Sequence, residues 1–145
     1  MLFVHHSILE TAAICDSTDI IAKYEGTVAS PGNANGGQVD CTLTMKSIPR
    51  YTMIKFTLSS LVLPSPCCLT TGSTKECNSL NVTVSGQTID LCSQNGQPDY
   101  VYKENAGNVI VSFKAANYTS GQGFNLTYKG KRQLNTVICL CTNLV

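Results

Sequence analysis

Eight cysteines carry most of the chemistry this sequence can offer: Cys15, Cys41, Cys67, Cys68, Cys77, Cys92, Cys139 and Cys141. An even number spread from end to end suits a disulfide framework formed in an oxidising compartment. Zinc is the competing use, but the chain has no C-x2-C pair and no Cys/His cluster at finger spacing. A second set of residues agrees with the first. Three Asn-x-Ser/Thr sequons, at Asn81, Asn117 and Asn125, are acceptors for N-linked glycans, and three of them in a cysteine-rich chain point to secretion. The protein is expected to be extracellular.

Catalytic chemistry is sparse. His5 and His6 are the only histidines, and neighbouring side chains on extended backbone point to opposite faces, so they make a poor metal pair. No G-x-S-x-G, H-E-x-x-H or phosphate-binding loop occurs. Asp16, Asp19, Glu25, Asp40, Asp90, Asp99 and Glu104 are scattered and read as solvated surface acids. The expectation is no catalytic, cofactor or metal site, and therefore no enzyme. Lys129-Gly130-Lys131-Arg132 resembles a basic processing site but reads better as a solvated linker past the last domain strand.

A chain of 145 residues is the usual size of one compact domain with a substantial core. It is 43% apolar and 13% charged with net charge +1, so it has no electrostatic footprint for nucleic acid. No stretch approaches the roughly 18–20 apolar residues of a membrane span. Low charge without any Trp suggests a surface that is glycosylated or covered by a partner. The opening "MLFVHHSILETAAI" is apolar, yet His5, His6 and Glu10 interrupt it and no Lys or Arg precedes them. It makes a poor signal peptide, and the true leader is expected upstream of Met1.

The elements that must position these residues read as strands. In "YTMIKFTLSSLVL" (51–63), Ile54, Phe56 and Leu58 share one parity and Met53, Lys55 and Thr57 the other. Leu80, Val82 and Val84 alternate with Asn81 and Thr83, Val109, Val111 and Phe113 share a face, and Phe124, Leu126 and Tyr128 alternate with Asn125 and Thr127. Asn81 and Asn125 thus fall on the outward parity, and Asn117 is assigned to a loop. Turns are marked by Pro31-Gly32, Asn35-Gly36-Gly37, Ser85-Gly86, Asn95-Gly96 and Gly121-Gln122-Gly123. Many short alternating strands separated by turns mean an all-β antiparallel sandwich or barrel.

Several of these pieces, in this order, resemble a CUB domain, the secreted sandwich of complement proteases, tolloid-like proteases and spermadhesins. The run is Cys15, "YEGTVASPG", Cys41, "IPRYTMIKFTLSSLVL", "CNSLNVTVSG", "LC" at 91–92, "GNVIVSFKA" and "GQGFNLTY". It covers about residues 15–129. The resemblance implies a jelly-roll-like pair of antiparallel sheets with disulfides Cys15–Cys41 and Cys77–Cys92. Leu43 stands where the family usually has a Trp. The three acidic calcium ligands of many CUB domains correspond here to Leu63, Leu80 and Ala116. Calcium needs hard oxygen ligands, so calcium-dependent binding should be absent, as in a non-calcium-binding, spermadhesin-like member. "PSPCCLTTGSTKE", between Leu63 and Cys77, looks like an insertion relative to the family.

The domain so defined, 15–129, is flanked by an N-terminal extension, 1–14, and a tail, 130–145, both apolar and strand-prone. With the two implied disulfides set aside, Cys67, Cys68, Cys139 and Cys141 can pair in three ways. A bond between adjacent Cys67 and Cys68 needs a strained turn, so one of them is expected to bond Cys139 or Cys141, within one chain or between copies. Two functions fit. One is an extracellular structural protein whose ends add as strands to neighbouring copies, tending towards filaments. The other is a secreted recognition module that binds a glycan, a receptor or another secreted protein through its loops.

Overall fold

The computed structural model describes residues 11–21, 25–32, 35–46, 52–63, 67–68, 77–92 and 100–132, with the side chains of 52, 100–106 and 131–132 left undescribed. Among them every regular element is a strand. The order is β1 (Thr11–Ala13), β2 (Asp19–Ile21), β3 (Glu25–Ala29), β4 (Gly37–Lys46), β5 (Thr52–Val62), β6 (Ser79–Val84), β7 (Gln87–Asp90), β8 (Tyr100–Ala106), β9 (Val109–Tyr118) and β10 (Gly123–Arg132). They form two five-stranded sheets, β1-β3-β10-β5-β8 and β2-β4-β9-β6-β7. Pairing is antiparallel except at one side, where β1 runs parallel to β3 and β2 parallel to β4. This is the jelly-roll-like sandwich.

Period-two alternation builds the core. β9 buries Val109, Val111, Phe113 and Ala115, and β6 buries Leu80, Val82 and Val84. From the other sheet come Ile54, Phe56 and Leu58 of β5 and Phe124, Leu126 and Tyr128 of β10. Leu43 and Met45 of β4 complete the second sheet's inner face. Because side chains on a strand alternate between faces, each of these runs needs only the correct register to bury its apolar set. Phe113 sits at the centre, edge-on to Tyr118 at 5.8 Å between ring centroids and tilted against Phe124 at 5.0 Å. Such arrangements place the positive ring edge near the negative face.

Three expectations change. The expected boundary between extension and domain at residue 14 falls inside the structure: β1 pairs with β3, and Ile14 donates its N–H to Ala29 O at 2.8 Å and is a fully buried core residue. Residues 129–132 are no linker, since they extend β10 along β5 from Lys55 to Thr52. A strand end beside a neighbouring strand gains hydrogen-bonded pairs by continuing, even in a basic run such as this one. Asn117 lies in β9 rather than in a loop, at an irregularity where the pairing moves from Val39↔Ala115 to Gly37↔Tyr118. The extra residue on β9 turns Asn117 out and Tyr118 in.

One end of the sandwich is closed by small residues. Tyr118 donates its hydroxyl to Pro31 O at 2.7 Å, and Ser30 exchanges hydrogen bonds with Phe124, N–H to O and Oγ to N–H, both at 3.1 Å. Gly123 has φ +133° and a Cβ there would strike Ser30 Oγ, so only glycine fits this approach. Replacing Phe113 with Ala should lower the unfolding free energy by about 3–5 kcal/mol, the range for large core aromatics. Denaturant unfolding measures this, and a loss below about 1 kcal/mol would show that Phe113 is not packed as described.

Candidate functional site

The described cysteines are all bonded. Cys15–Cys41 forms as the resemblance implied, with Cα atoms 5.2 Å apart. Cys77–Cys92 does not form. Cys92 bonds Cys67 and Cys77 bonds Cys68, at Cα separations of 5.6 and 4.8 Å. The cause is the approach of the inserted residues. Cys67 bridges Asn78 in parallel, and Cys68 donates its N–H to Asn78 O at 2.7 Å. Adjacent side chains on extended backbone diverge, so Cys67 and Cys68 serve two different partners. Both are therefore engaged, and the expected bond from one of them to Cys139 or Cys141 is overturned. Those two cysteines lie outside the described residues.

Asn78 is the residue the sequence did not single out. It is fully buried, at 0% exposure, and its Oδ1 accepts the Ala116 N–H at 3.1 Å while its own carbonyl receives Cys68. A buried amide is costly unless bonded. The donor lies just past the end of the β6–β9 ladder, whose last pair is Ser79↔Lys114. In the sequence Asn78 looks like an ordinary turn residue after a cysteine. Its role needs the insert, β6 and β9 to meet.

The positions matching the family's calcium ligands carry hydrocarbon. Leu80 is fully buried, Leu63 packs against the core, and Ala116 is partly exposed. Among the described residues no group of three or more His, Cys, Asp or Glu comes together. The acids are dispersed instead. Asp19 pairs with Lys46 at 2.7 Å and Glu25 with Lys129 at 3.7 Å, both pairs well solvated and worth little individually. Asp90 Oδ1 accepts the Cys92 N–H at 2.9 Å, and Asp16 and Asp40 are exposed. His5, His6 and Asp99 lie outside the described residues, as does the side chain of Glu104 on β8.

The sequon asparagines are spread over both sheets. Asn81 is partly exposed on β6, Asn117 exposed on β9 and Asn125 exposed on β10. Two recesses accompany them. At the closed end, Ser30, Pro31, Gly32, Ser120, Gly121 and Gln122 surround a polar cavity of about 310 Å³ above Tyr118. At the side where the chain crosses from sheet to sheet, Thr11, Ala12, Ile20, Ile21, Thr27 and Tyr128 line a groove of about 290 Å³. Here β1 and β2 are the edge strands, and Ile21 is 78% exposed.

Ten strands in two sheets, with the Cys15–Cys41 bond across the first crossing, define a CUB-like sandwich. Solved structures with this fold include the CUB2 domain of MASP-1 bound to Ca2+, with a TM-score of 0.58 and 13% identity over 78% of this chain and 98% of that one. The CUB1-EGF-CUB2 segment of rat MASP-1 matches at TM-score 0.54 and 16% identity, over 84% of this chain and 43% of that one. The same segment of human MASP-1/3 gives 0.54 and 15%, over 86% and 42%. No protein-family model and no curated protein sequence matches the chain. At such identities the likeness establishes the fold.

Matched and crossed cysteine pairs test the disulfide pattern. C67S/C92S and C68S/C77S should each leave the remaining described cysteines oxidised, whereas C77S/C92S should leave Cys67 and Cys68 both titratable with a thiol reagent under denaturing conditions. Equal thiol counts in all three variants would refute the pairing. Asn78→Leu, nearly isosteric, should cost about 1–3 kcal/mol by stranding the Ala116 N–H, measured by denaturant unfolding against wild type. An unchanged midpoint would remove Asn78 from this role.

Proposed function

We propose that this protein is a secreted, non-enzymatic interaction module that associates with copies of itself. The observation that carries the reading is the open side of the sandwich. Among the described residues β1 and β2 are both edges, and Ile21, the last residue of β2, stands in solvent at 78% exposure. Unpaired strand edges are templates for another strand, and an isolated apolar groove between two of them suits strand addition. β1 belongs to its own chain's sheet, so exchange through residues 11–13 is set aside, and of the other terminal residues we take the tail as the exchanging segment. The three bonds among described cysteines use six of the eight. Cys139 and Cys141 are thus left to pair with each other or with another chain.

The dispersed acids and the CUB-like fold support a binding role without catalysis. Three intrachain disulfides and the sequons at Asn81, Asn117 and Asn125 support secretion and N-glycosylation. A second reading has its own observation. The polar recess around Ser30, Ser120 and Gln122 offers uncharged hydrogen-bonding groups of the kind a glycan uses, which favours a recognition module acting through this end.

Sizing by light scattering, with and without reductant, separates the two readings. Self-association predicts concentration-dependent species larger than the 15.5 kDa chain, with deletion of residues 133–145 restoring a monomer whose circular dichroism is unchanged. A plain monomer at every concentration, or assembly that survives the deletion, would overturn the tail-mediated reading.

A further inference from the structure

We propose that the groove between β1 and β2 is the receiving site for residues 133–145 of a second copy. The inference rests on the self-association reading and gives it an address. The groove is lined by Thr11, Ala12, Ile20, Ile21, Thr27 and Tyr128, an uncharged set with three aliphatic members. Its volume of about 290 Å³ lies at the lower limit of small-molecule sites, roughly 300–1,000 Å³. That size suits a few side chains of a strand better than an enclosed ligand. Among the described residues two nearby charges are matched, Asp19 with Lys46 and Glu25 with Lys129, and the lining itself is uncharged, so an uncharged segment suits it. Residues 133–145, "QLNTVICLCTNLV", carry none.

Strand geometry favours this occupant. β1 and β2 are three residues each, too short to bind a partner by backbone hydrogen bonds alone. Burial of alternate side chains must therefore supply most of the affinity. Val137, Cys139 and Cys141 share one parity of the tail, and Thr136, Ile138 and Leu140 the other, so one apolar row can enter the groove in either register.

Reach is not limiting. Tyr128 lines the groove and β10 ends four residues later, at Arg132, about 13 Å along a strand. Thirteen further residues span up to about 43–47 Å when extended. Docking into the groove of the same molecule would demand a chain reversal just past Arg132. Residues 133–145 contain neither Gly nor Pro, and Asn135 and Asn143 are their only turn-favouring residues. A tail that continued along the direction of β10 would reach another molecule's groove. The contact is heterologous, with groove and tail on different patches, and so extends to chains of copies unless its rotation closes a ring.

The test uses the full chain. Ile21→Lys places a charge in the groove at a position already in solvent, so folding is preserved, and circular dichroism confirms it. The variant should shift the concentration for half-assembly upward by at least tenfold, as should deletion of 133–145. A photo-crosslinking amino acid at position 21, in an equimolar mixture of unlabelled and 15N-labelled protein, should yield mixed-isotope crosslinks to peptides of 133–145. Wild-type assembly in Ile21→Lys, with the deletion still monomeric, overturns the groove and leaves tail-mediated association standing. Crosslinks only within one isotope, or only to residues 1–10, overturn the proposed occupant. A wild-type chain that never assembles defeats both the site and the reading it rests on.

Discussion

The contact on which the two sheets depend is the packing of Phe113 against Tyr118 and Phe124. Phe113 and Tyr118 come from β9, at the middle of the second sheet, and Phe124 from β10, at the middle of the first. Their rings therefore span the interior at the centre of both layers. Around them the aliphatic residues of β4, β5 and β6 fill a core without a single buried ion pair among the described residues. The irregularity in β9 is part of the same arrangement. It lets Tyr118 face inward after Phe113 has done so five residues earlier, which a regular alternation would forbid. Tyr118 then satisfies its hydroxyl on Pro31 and draws the β3–β4 connection over the end of the core.

A second dependency lies at the start of β6. The Ala116 N–H, just past the last β6–β9 pair, is taken by Asn78, and the Asn78 carbonyl in turn accepts the N–H of Cys68. Two disulfides then fix the chain there at adjacent residues. One bond between Cys77 and Cys92 would hold β6 to the segment after β7. The observed pair holds both of them to residues 67–68 as well. In the chain-entropy picture each closure removes about 2–4 kcal/mol of unfolded-state freedom, an estimate that is model-dependent. Anchorage, more than stability, distinguishes this arrangement, because Cys67 and Cys68 become part of the sandwich end.

The open side contrasts with this. β1 and β2 are three residues each, parallel to their neighbours and separated by the sharp turn at Cys15, whose φ is +80°. Short edges are a common protection against unwanted pairing. Here the protection is incomplete, because the groove between the two edges exposes Ile21. A surface of this kind tolerates only partners that bring apolar side chains in strand register, which is a form of specificity.

What the sequence determined by itself is the strand content and the side of each strand that faces the core. Leu80, Val82 and Val84, Val109, Val111 and Phe113, and Phe124, Leu126 and Tyr128 are buried as their alternation requires, because a period of two leaves only one face for the apolar set. The outward parity of Asn81 and Asn125 was legible in the same way, whereas the Cys15–Cys41 bond was implied by the family resemblance and not by the pattern. Tertiary structure alone decided the rest. Asn117 turned outward through an irregularity that local pattern does not encode, and residues 11–14 and 129–132 joined the sheets because neighbouring strands offered them free hydrogen-bonding edges. The cysteine partners of Cys67 and Cys68 were settled by proximity to Asn78. Spacing along the chain constrains which cysteines can meet, but only the folded approach of the insert to β6 determines which of them do.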